Sequence, residues 1–597
     1  MKDGMWLDHE VTREDRADGT IVLGSGLTLD HVARNTGEWL HRWAAETPDR
    51  VFIAERSGGG WREVAYGEML AAVRAVAASL LARGFGPGKR IVILSGPSVD
   101  HAVLALAAQY IGAPIVPLAE QYSLIPAAHP RLAYCVNKVS PAMVYAGDGD
   151  AFGTALALDI FDGVEKVVSH NPADGMTGFE TLLAGEADAA VDAAHAKVGP
   201  ETLAKILFTS GSASAPKGVP QTQKMMCVNQ AQYQACLPIL KARHHKMLDW
   251  LPWNHVFAGN SNFNMMLANG GSLYLDDGKP VGPLAARSLE NLRAHSGTLS
   301  FNVPVAHAMQ VAAMRNDADL RRRYFEGLDI FFYAGASLPA DVWAAIGRMA
   351  RDELGEMPMM MSSWGMTETA PSALIYHEKG AASGMIGVPV PELEAKLIPV
   401  GDNRYELRVR GPNVIDCYYE DAKRSAESFD DEGFFMTGDA VTLVDPMDAS
   451  RGVRFDGRIG EDFKLTTGIW VQASNLRLTV LAGLSGLAQD VVIVGEGRDE
   501  VGLLVFPPPA RGLKGGGGVV VDPHYASEIR EVLVGMAKSA TGSSNRIVRA
   551  IVLEEPPHVG DGEITAKGSL NVRTILTRRA AFVDRLYDDA DTATIRI

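Results

Sequence analysis

Residues 205–219 read Lys-Ile-Leu-Phe-Thr-Ser-Gly-Ser-Ala-Ser-Ala-Pro-Lys-Gly-Val. An apolar strand leads here into a loop with four hydroxyl side chains, glycines at 211 and 218, and a lysine at 217. Backbone N–H groups, hydroxyls and one ammonium together can hold a polyphosphate. The loop is not a Walker A motif, because Lys217-Gly218 is followed by Val219 and not by Ser or Thr at the start of a helix. Taken alone, the segment fits a solvated Ser-rich turn equally well.

The sequence around this loop alternates between helical and strand patterns. It predicts a helix over Tyr66–Leu81, a strand at residues 90–94, a helix over Val99–Tyr110 and a strand at residues 114–118. Further strands are predicted at residues 166–168, 205–208, 271–275, 298–302 and 328–333. This alternation is typical of parallel sheets covered by helices, so the large N-terminal part is predicted to be α/β.

The pattern changes twice towards the C-terminus. Alternating strands at residues 394–400 and 405–411 predict an antiparallel β subdomain. Beyond Asp456, short strands such as residues 491–495 and a helix at residues 527–537 predict a small α+β domain. We therefore expect two domains, residues 1–456 and 457–597. The connector that follows Pro507, with glycines at 515–518, is predicted to be a flexible surface loop inside the small domain.

Composition indicates an ordinary globular protein. The 597 residues are 47% hydrophobic and 21% charged, with a formal net charge of −16, which argues against a nucleic-acid partner held by a general basic field. Four irregularly spaced cysteines predict reduced thiols and not a disulfide framework or a zinc site. The acidic first residues are unlike a signal peptide, and glycine and prolines interrupt the apolar run 102–119, so that it predicts a buried helix and strand. A cytoplasmic location without a membrane partner is expected.

A second segment, residues 364–369, reads Trp-Gly-Met-Thr-Glu-Thr. Trp364 is able to cover a nucleotide base and Thr367 to hydrogen-bond a phosphate. Glu368 is a candidate ligand for Mg²⁺, which prefers carboxylate and phosphate oxygens. Considered singly, a glutamate in such a position is more often a plain surface residue.

Seven motifs in order over nearly 360 residues resemble the acyl-adenylate-forming superfamily. This superfamily contains acyl-CoA synthetases, peptide-synthetase adenylation domains and firefly-type luciferases. The motifs are Thr209-Ser-Gly-Ser with Pro-Lys-Gly218, Leu251-Pro-Trp-Asn-His255, Ala334-Gly-Ala-Ser-Leu338, Trp364-Gly-Met-Thr-Glu368, Thr437-Gly-Asp439, Gly457-Arg458 with Lys464 and Gly468, and Thr565-Ala-Lys567. Within the superfamily, segments such as residues 249–255, 460–465 and 562–571 most resemble feruloyl-CoA synthetases.

The resemblance implies a role for each matched position. The β- and γ-phosphates of ATP would be held by Thr209, Ser210, Gly211, Ser212 and Lys217, and the adenine framed by Gly335, Ala336 and Trp364. Asp439 and Arg458 would hold the ribose hydroxyls. Thr367 would contact the α-phosphate and Glu368 the Mg²⁺. Lys567 would lie between the substrate carboxylate and the α-phosphate, where a cation offsets the charge of two approaching anions.

The acyl group would enter a pocket gated by His255. The residues suggest apolar surface with polar tips, in a set comprising His255, Phe257, Asn260, Ser261 and Asn302. The asparagines between 260 and 264 equally fit helix capping and backbone hydrogen bonds. The face from Lys464 to Gly468 would serve the CoA step, after the small domain rotates about a hinge at Gly460.

This sequence departs from the family pattern at several positions. Ala213 and Ser214 replace the usual Thr-Gly, which removes one hydroxyl and one permissive backbone position from the loop. Trp364 replaces a tyrosine and is still able to stack. No glycine directly precedes Lys567, so this assignment rests on the weakest pattern.

The resemblance implies an ATP-, Mg²⁺- and CoA-dependent ligase that activates an aromatic, ferulate-like acid through acyl-AMP. Three other readings stay open. The enzyme could load a carrier protein in place of CoA, or act on a fatty or other aryl acid. A non-catalytic nucleotide sensor with the same fold is the third, and it is favoured only if the loop with Ala213 and Ser214 is inert. The sequence does not determine the oligomeric state, whether monomer or homodimer.

Overall fold

The computed structural model describes residues 7–209, 215–335, 338–380, 382–401, 403–508, 511–513, 515–558, 561–564 and 570–597. The strands are β1 (Val11–Asp15), β2 (Ile21–Ser25), β3 (Val51–Ser57), β4 (Gly60–Ala65), β5 (Ile91–Ile93), β6 (Ile115–Pro117), β7 (Met143–Asp148), β8 (Glu165–His170), β9 (Thr177–Gly178), β10 (Leu203–Thr209), β11 (Lys217–Thr222), β12 (Lys246–Asp249), β13 (Ser272–Leu275), β14 (Leu299–Asn302), β15 (Ile330–Tyr333), β16 (Met359–Gly365), β17 (Ser372–Tyr376), β18 (Met385–Pro389), β19 (Glu394–Gly401), β20 (Arg404–Arg410), β21 (Phe435–Leu443), β22 (Val453–Arg458), β23 (Phe463–Lys464), β24 (Trp470–Val471), β25 (Asp490–Val494), β26 (Val501–Phe506), β27 (Ile547–Val552) and β28 (Ile595–Arg596).

The helices are α1 (Thr36–Glu46), α2 (Tyr66–Ala82), α3 (Val99–Tyr110), α4 (Gln121–Leu124), α5 (His129–Val139), α6 (Gly153–Leu156), α7 (Glu180–Leu183), α8 (Ala189–His195), α9 (Gln223–Cys236), α10 (Ile239–Ala242), α11 (Phe263–Ala268), α12 (Leu284–Ala294), α13 (Pro304–Asn316), α14 (Ala318–Phe325), α15 (Ala340–Leu354), α16 (Ala422–Glu427), α17 (Ala473–Gly483), α18 (Pro523–Ser539), α19 (Val572–Arg578) and α20 (Ala580–Tyr587). A π-helix spans Phe257–Asn262 and runs directly into α11.

A seven-stranded sheet confirms the predicted α/β alternation. Its order is β11-β10-β6-β5-β7-β8-β9, and every pair except β10 with β11 is parallel. Ile91 and Ile93 face one hydrophobic cluster, and Val92 and Leu94 face another. Both faces of the sheet are therefore covered, as parallel sheets require. The apolar run 102–119 contains α3 from Ala102 onwards and the buried strand β6, as predicted.

An eleven-stranded sheet carries the other half of the large domain. Strands β14, β15 and β16 are parallel, and the sheet continues antiparallel through β17, β18, β22, β21, β20, β19, β2 and β1. The predicted antiparallel strands near 394–411 are thus confirmed as β19 and β20, but they extend the same sheet as the parallel strands. A four-stranded sheet, β12-β13-β3-β4, completes this part.

The C-terminal part has its own core. The sheet β25-β26-β27-β28 mixes antiparallel and parallel pairs, and a cluster that begins at Phe463 packs it against α17 and α18. The described residues of the 515–518 connector lie beside this sheet, because Val519 bridges both Gly516 and Leu553. The predicted division near Gly457 falls inside β22, and its exact position stays a prediction.

No helix in the described part of the chain is both long and apolar enough to cross a membrane. The expected cytoplasmic location stays a prediction. The cysteines that the structure describes, Cys135, Cys227, Cys236 and Cys417, are free thiols, as the sequence predicts.

Candidate active site

Three of the predicted site residues lie at the carboxyl ends of neighbouring parallel strands. Asn302 ends β14, Gly335 lies two residues beyond β15, and Trp364 is the penultimate residue of β16. Register pairs Asn302 with Tyr333 and Tyr333 with Ser362. Since parallel strands end at the same edge of a sheet, this edge forms one side of a crevice. Gly335 has φ +83°, a conformation that favours glycine, and it is exposed there.

Trp364 contacts one of the two predicted ribose ligands, Asp439, which in turn pairs with the other, Arg458. Its indole Nε1 donates to Asp439 Oδ2 at 2.9 Å, and Arg458 Nε lies 3.3 Å from Asp439 Oδ1. Asp439 and Arg458 face each other in the β21–β22 register. The Asp439 side chain is 7% exposed, whereas that of Arg458 is 57% exposed. Residues separated by nearly 100 positions thus form one polar cluster at the sheet edge.

The two predicted phosphate residues that the structure describes, Thr209 and Lys217, belong to a second cluster. Thr209 at the end of β10 pairs with Lys217 at the start of β11. Lys217 Nζ lies 3.5 Å from the Tyr418 hydroxyl and 5.0 Å from its ring, and that hydroxyl donates to Glu368 Oε1 at 2.8 Å. Burial lowers the pKa of Lys217, and the Glu368 charge opposes that shift. The Lys217 ammonium and the Glu368 carboxylate therefore lie on either side of the Tyr418 hydroxyl.

The turn Thr367–Thr369 joins the two clusters. Thr367 and Glu368 are buried, and their backbone carbonyls accept hydrogen bonds from Gln221 Nε2 at 2.9 Å and Ile415 N at 2.9 Å. This turn follows directly on β16, so it lies at the same edge of the sheet as Trp364. The Thr367 turn thus lies between the cluster of Trp364, Asp439 and Arg458 and the cluster of Glu368, Tyr418 and Lys217.

The predicted acyl pocket residues lie on or near the π-helix. His255 is half-buried and its Nδ1 accepts from Phe257 N at 3.3 Å. The Phe257 ring packs edge-on against Phe332 of β15 at 5.6 Å. The Ser261 hydroxyl donates to the Tyr233 hydroxyl of α9 at 3.0 Å. Asn302 Oδ1 accepts from Trp250 Nε1 at 2.9 Å, so its carbonyl oxygen is already committed within the protein.

The predicted CoA face lies elsewhere. Lys464 and Gly468 belong to the exposed hairpin β23–β24, where the Lys464 ammonium lies 4.9 Å from the Trp470 ring centroid. The structure does not bring this hairpin to the Thr367 turn; the backbone of Lys464 bonds to Gly497 of the small domain. Gly460 is exposed within a short 3₁₀ turn, and a Cβ built on it would meet no atom within 4 Å.

The loop that precedes Lys567 does reach the large domain. Gly562 has φ +78°, and a Cβ there would lie 1.8 Å from Arg131 Nη2 of α5. Glu563 is anchored by Arg579 Nη2 at 2.7 Å, with both side chains almost fully buried. Lys567 itself lies outside the described residues, as do Ser210, Gly211, Ser212, Ala213, Ser214 and Ala336.

Two family models match this chain. Residues 40–419 match the model described as AMP-binding enzyme, and residues 464–591 match that of the AMP-binding enzyme C-terminal domain. The chain belongs to the AMP-binding enzyme family. The first match covers well over half of the chain and contains Thr209, Lys217, Thr367 and Glu368. The second begins at Lys464, a few residues after the 3₁₀ turn that carries Gly460.

Similar proteins in this family are named for different reactions of carboxylic acids: reduction in one case and ligation to CoA in others. A carboxylic acid reductase of Mycobacterium marinum is 26% identical over 88% of this chain, but the chain spans only 46% of that protein. The long-chain-fatty-acid–CoA ligase FadD15 of Mycobacterium bovis is 24% identical over 91% of this chain and 95% of its own length. The anthranilate CoA ligase AuaEII in complex with anthranoyl-AMP is 17% identical, with TM-score 0.72 over 93% of this chain and 99% of that one, which shows the shared two-domain fold.

CoA ligases of the AMP-binding enzyme family use ATP, Mg²⁺ and CoA. Among the described residues there is no cluster of three or more His, Cys, Asp or Glu side chains suited to a metal. A single buried carboxylate, Glu368, faces the Lys217 side of the crevice. This donor set fits Mg²⁺, which commonly takes one or two carboxylates and completes its shell with phosphate oxygens and water.

The sequence analysis did not predict several residues of this candidate site. Tyr418, between Lys217 and Glu368, belongs to no motif that we recognised. Gln221 and Lys205 are polar residues in strands whose other residues are mostly apolar. Polar side chains at such positions are unusual, and this is the sequence feature that could have marked them as functional. Asn262 occupies the N-cap position of α11 without a side-chain cap bond, and the side chains of Asn260 and Asn262 bond other buried side chains.

Proposed function

We propose that this protein is an ATP-dependent carboxylate:CoA ligase that works through an acyl-AMP intermediate. The observation that carries the proposal is the continuous arrangement of two clusters about one turn. Trp364, Asp439 and Arg458 suit a nucleoside, while Lys217 and Glu368 suit its phosphates and a cation. The Thr367 turn between them is where an α-phosphate would lie.

In the first half-reaction, a substrate carboxylate oxygen attacks the α-phosphorus, a P–O bond to pyrophosphate breaks, and acyl-AMP forms. We assign Lys217 to the β- and γ-phosphates, Thr367 to the α-phosphate, and Lys567 to the approaching carboxylate. Bound at Glu368, Mg²⁺ would neutralise phosphate charge. In the second half-reaction, the CoA thiol sulfur attacks the acyl carbonyl and AMP leaves, with the Lys464–Gly468 face turned towards the site.

For the acyl group, we propose an aromatic acid of the hydroxycinnamate type, such as ferulate. Aromatic packing behind the proposed pocket supports this: the Phe257 ring packs on the buried Phe332, which stacks on the buried Phe301 with centroids 4.4 Å apart. Aromatic pairs prefer such edge-on and offset contacts, and a substrate ring beside Phe257 would add another. The motif resemblance to feruloyl-CoA synthetases points to the same class. A fatty acid is the second candidate, favoured by the similarity to FadD15 over nearly its whole length.

The acceptor is proposed to be free CoA. The similarity to a carboxylic acid reductase, of which this chain spans about half, is the specific reason to test other acceptors such as a carrier protein.

A panel of acids tests the substrate proposal. Ferulate, coumarate, cinnamate, benzoate, decanoate and palmitate would each be offered with Mg·ATP, with and without CoA, while pyrophosphate, AMP and thioester are measured. We expect the hydroxycinnamates to give the highest kcat/KM and one thioester per AMP. A clear preference for palmitate would show that the substrate is a fatty acid and not a hydroxycinnamate. Pyrophosphate release without any thioester would exclude CoA as the acceptor.

Replacing Asp439 by alanine is expected to weaken ATP binding. The ribose hydroxyls would lose a charged acceptor worth about 1.5–3 kcal/mol, which corresponds to a rise in Kd of roughly 10- to 150-fold. Trp364 would lose its Nε1 partner at the same time. Titration calorimetry with ATP measures the change.

Asp431→Ala provides the matched control, because Asp431 is an exposed carboxylate in the turn before the same strand. Its ATP Kd should equal that of the unmodified protein. An unchanged Kd in Asp439→Ala would move the ribose site away from the β21–β22 pair.

A further inference from the structure

A lysine is buried in the strand that leads into the phosphate loop. Lys205 of β10 is 5% exposed, and its Nζ donates to Gly259 O at 2.6 Å and to Asn260 Oδ1 at 3.1 Å. Both acceptors belong to the π-helix. Within the described residues no carboxylate lies within ion-pair distance of this ammonium, and burial lowers its pKa to about 7.

From Asn260, side-chain hydrogen bonds continue to the catalytic turn. Asn260 Nδ2 donates to Gln221 Oε1 at 2.8 Å, and Gln221 Nε2 donates to Thr367 O at 2.9 Å. Gln221, Asn260 and Lys205 are all buried. We call these three residues the buried relay. It connects the helix that carries Phe257 to the turn proposed to hold the α-phosphate.

Stability alone does not account for the relay. Burying an ammonium against neutral acceptors costs desolvation free energy, and replacing buried charged groups by apolar ones of similar size is often neutral or stabilising. π-helical segments are rare and occur frequently at functional sites. This one is held at its other end too, where Asn262 Nδ2 donates to Asp249 Oδ2 at 2.9 Å; Asp249 is buried, and burial raises its pKa to about 7.

We propose that Lys205 is a positioning residue for acyl-AMP formation. Through Asn260 and Gln221, it holds the acyl-pocket π-helix at a fixed distance from the Thr367 turn. The carboxylate and the α-phosphorus are thereby kept in line. This inference rests on the proposed adenylating function, and it assigns to Lys205 no contact with either substrate.

Lys205→Met tests the proposal, because methionine fills similar volume without donating. We expect kcat for acid-dependent ATP–pyrophosphate exchange to fall about 100-fold, since a misplacement of about 1 Å costs that much, while KM for ATP changes less than threefold. Ile206→Met is the matched control: Ile206 is equally buried on the opposite face of β10, outside the relay, and its exchange rate should be normal.

A double-mutant cycle with Gln221→Met separates positioning from folding. If the relay acts as a unit, Lys205→Met, Gln221→Met and the double variant should lose similar amounts of kcat, with a strongly non-additive cycle. Additive losses, or a lower Tm with normal kcat for the folded enzyme, would overturn the proposal. If Lys205→Met does not fold, Asn260→Ala cuts the same link, and normal kcat in that variant would overturn it equally.

The unmodified enzyme distinguishes failure of the proposed function from failure of the positioning role of Lys205. Should it exchange pyrophosphate with none of the acids, the proposed function fails, and the role of Lys205 fails with it. Should it exchange normally while Lys205→Met matches it, only the positioning role is lost.

Discussion

Replacing Lys567 by alanine is expected to slow acyl-AMP formation by about 10²–10³-fold, while thioester formation from supplied acyl-AMP and CoA stays near normal. A cation placed where charge develops stabilises only the transition state in which the carboxylate and the α-phosphate approach each other. The second half-reaction has no such approach. Rapid-quench measurements of each half-reaction, on protein with unchanged Tm, give the two rates.

The loop geometry supports this expectation. Gly562 touches Arg131 of the large domain, and the Glu563–Arg579 ion pair fixes the chain just before the Lys567 segment. Lys464→Ala provides the complementary control, because Lys464 lies on the face proposed for the CoA step. In that variant we expect normal acyl-AMP formation and slower thioester formation. Equal losses of both half-reactions in Lys567→Ala would contradict the assignment.

Replacing Gly460 by proline is expected to leave acyl-AMP formation measurable and to slow its transfer to CoA by at least about tenfold. If one site serves both reactions by rotation of residues 461–597, the chain near Gly460 must visit two backbone states, and proline fixes φ of residue 460 near −65°. The φ of Gly460 lies outside the left-handed region here, so the structure itself does not require glycine. The freedom of glycine would be needed in the second arrangement.

Arg404 marks what a rotation would have to change. Its guanidinium binds Asp456 Oδ2 at 2.5 Å and Asp462 Oδ2 at 2.7 Å, on the two sides of Gly460. A turn of the chain at Gly460 would separate these carboxylates, so Arg404 stabilises the present arrangement. Gly460→Ala is the control, because alanine keeps the backbone N–H and leaves φ unfixed. A normal thioester step in Gly460→Pro would remove Gly460 as the hinge.

Much of the fold was predictable because its sheets are regular. The helix Val99–Tyr110 matches its predicted bounds exactly, since Ser98 caps its first turn and Ile111-Gly112 ends it, with Gly112 in the left-handed region. What local patterns could not predict was that β16 to β22 continue one sheet. That continuity depends on which strand edges meet, and periodicity carries no information on it.

The candidate site divides in the same way. Motif residues such as Trp364 and Asp439 were predicted, and the structure brings them within hydrogen-bond distance. Tyr418, Lys205 and Gln221 were not predicted, and Asn260 was expected only in the acyl pocket or as a helix cap, because these roles arise from contacts between distant segments. Gln221 lies 146 positions from Thr367, and only the folded chain makes them neighbours.

Acid-dependent ATP–pyrophosphate exchange, measured without CoA, tests the central claim most directly. The assay reports the reversible formation of acyl-AMP alone, so it requires neither the right acceptor nor the domain rotation. We predict exchange that needs both Mg²⁺ and a carboxylic acid, and that is lost in Lys567→Ala. Tight ATP binding with no exchange for any acid in the panel would contradict the account and indicate a nucleotide-binding protein without ligase activity.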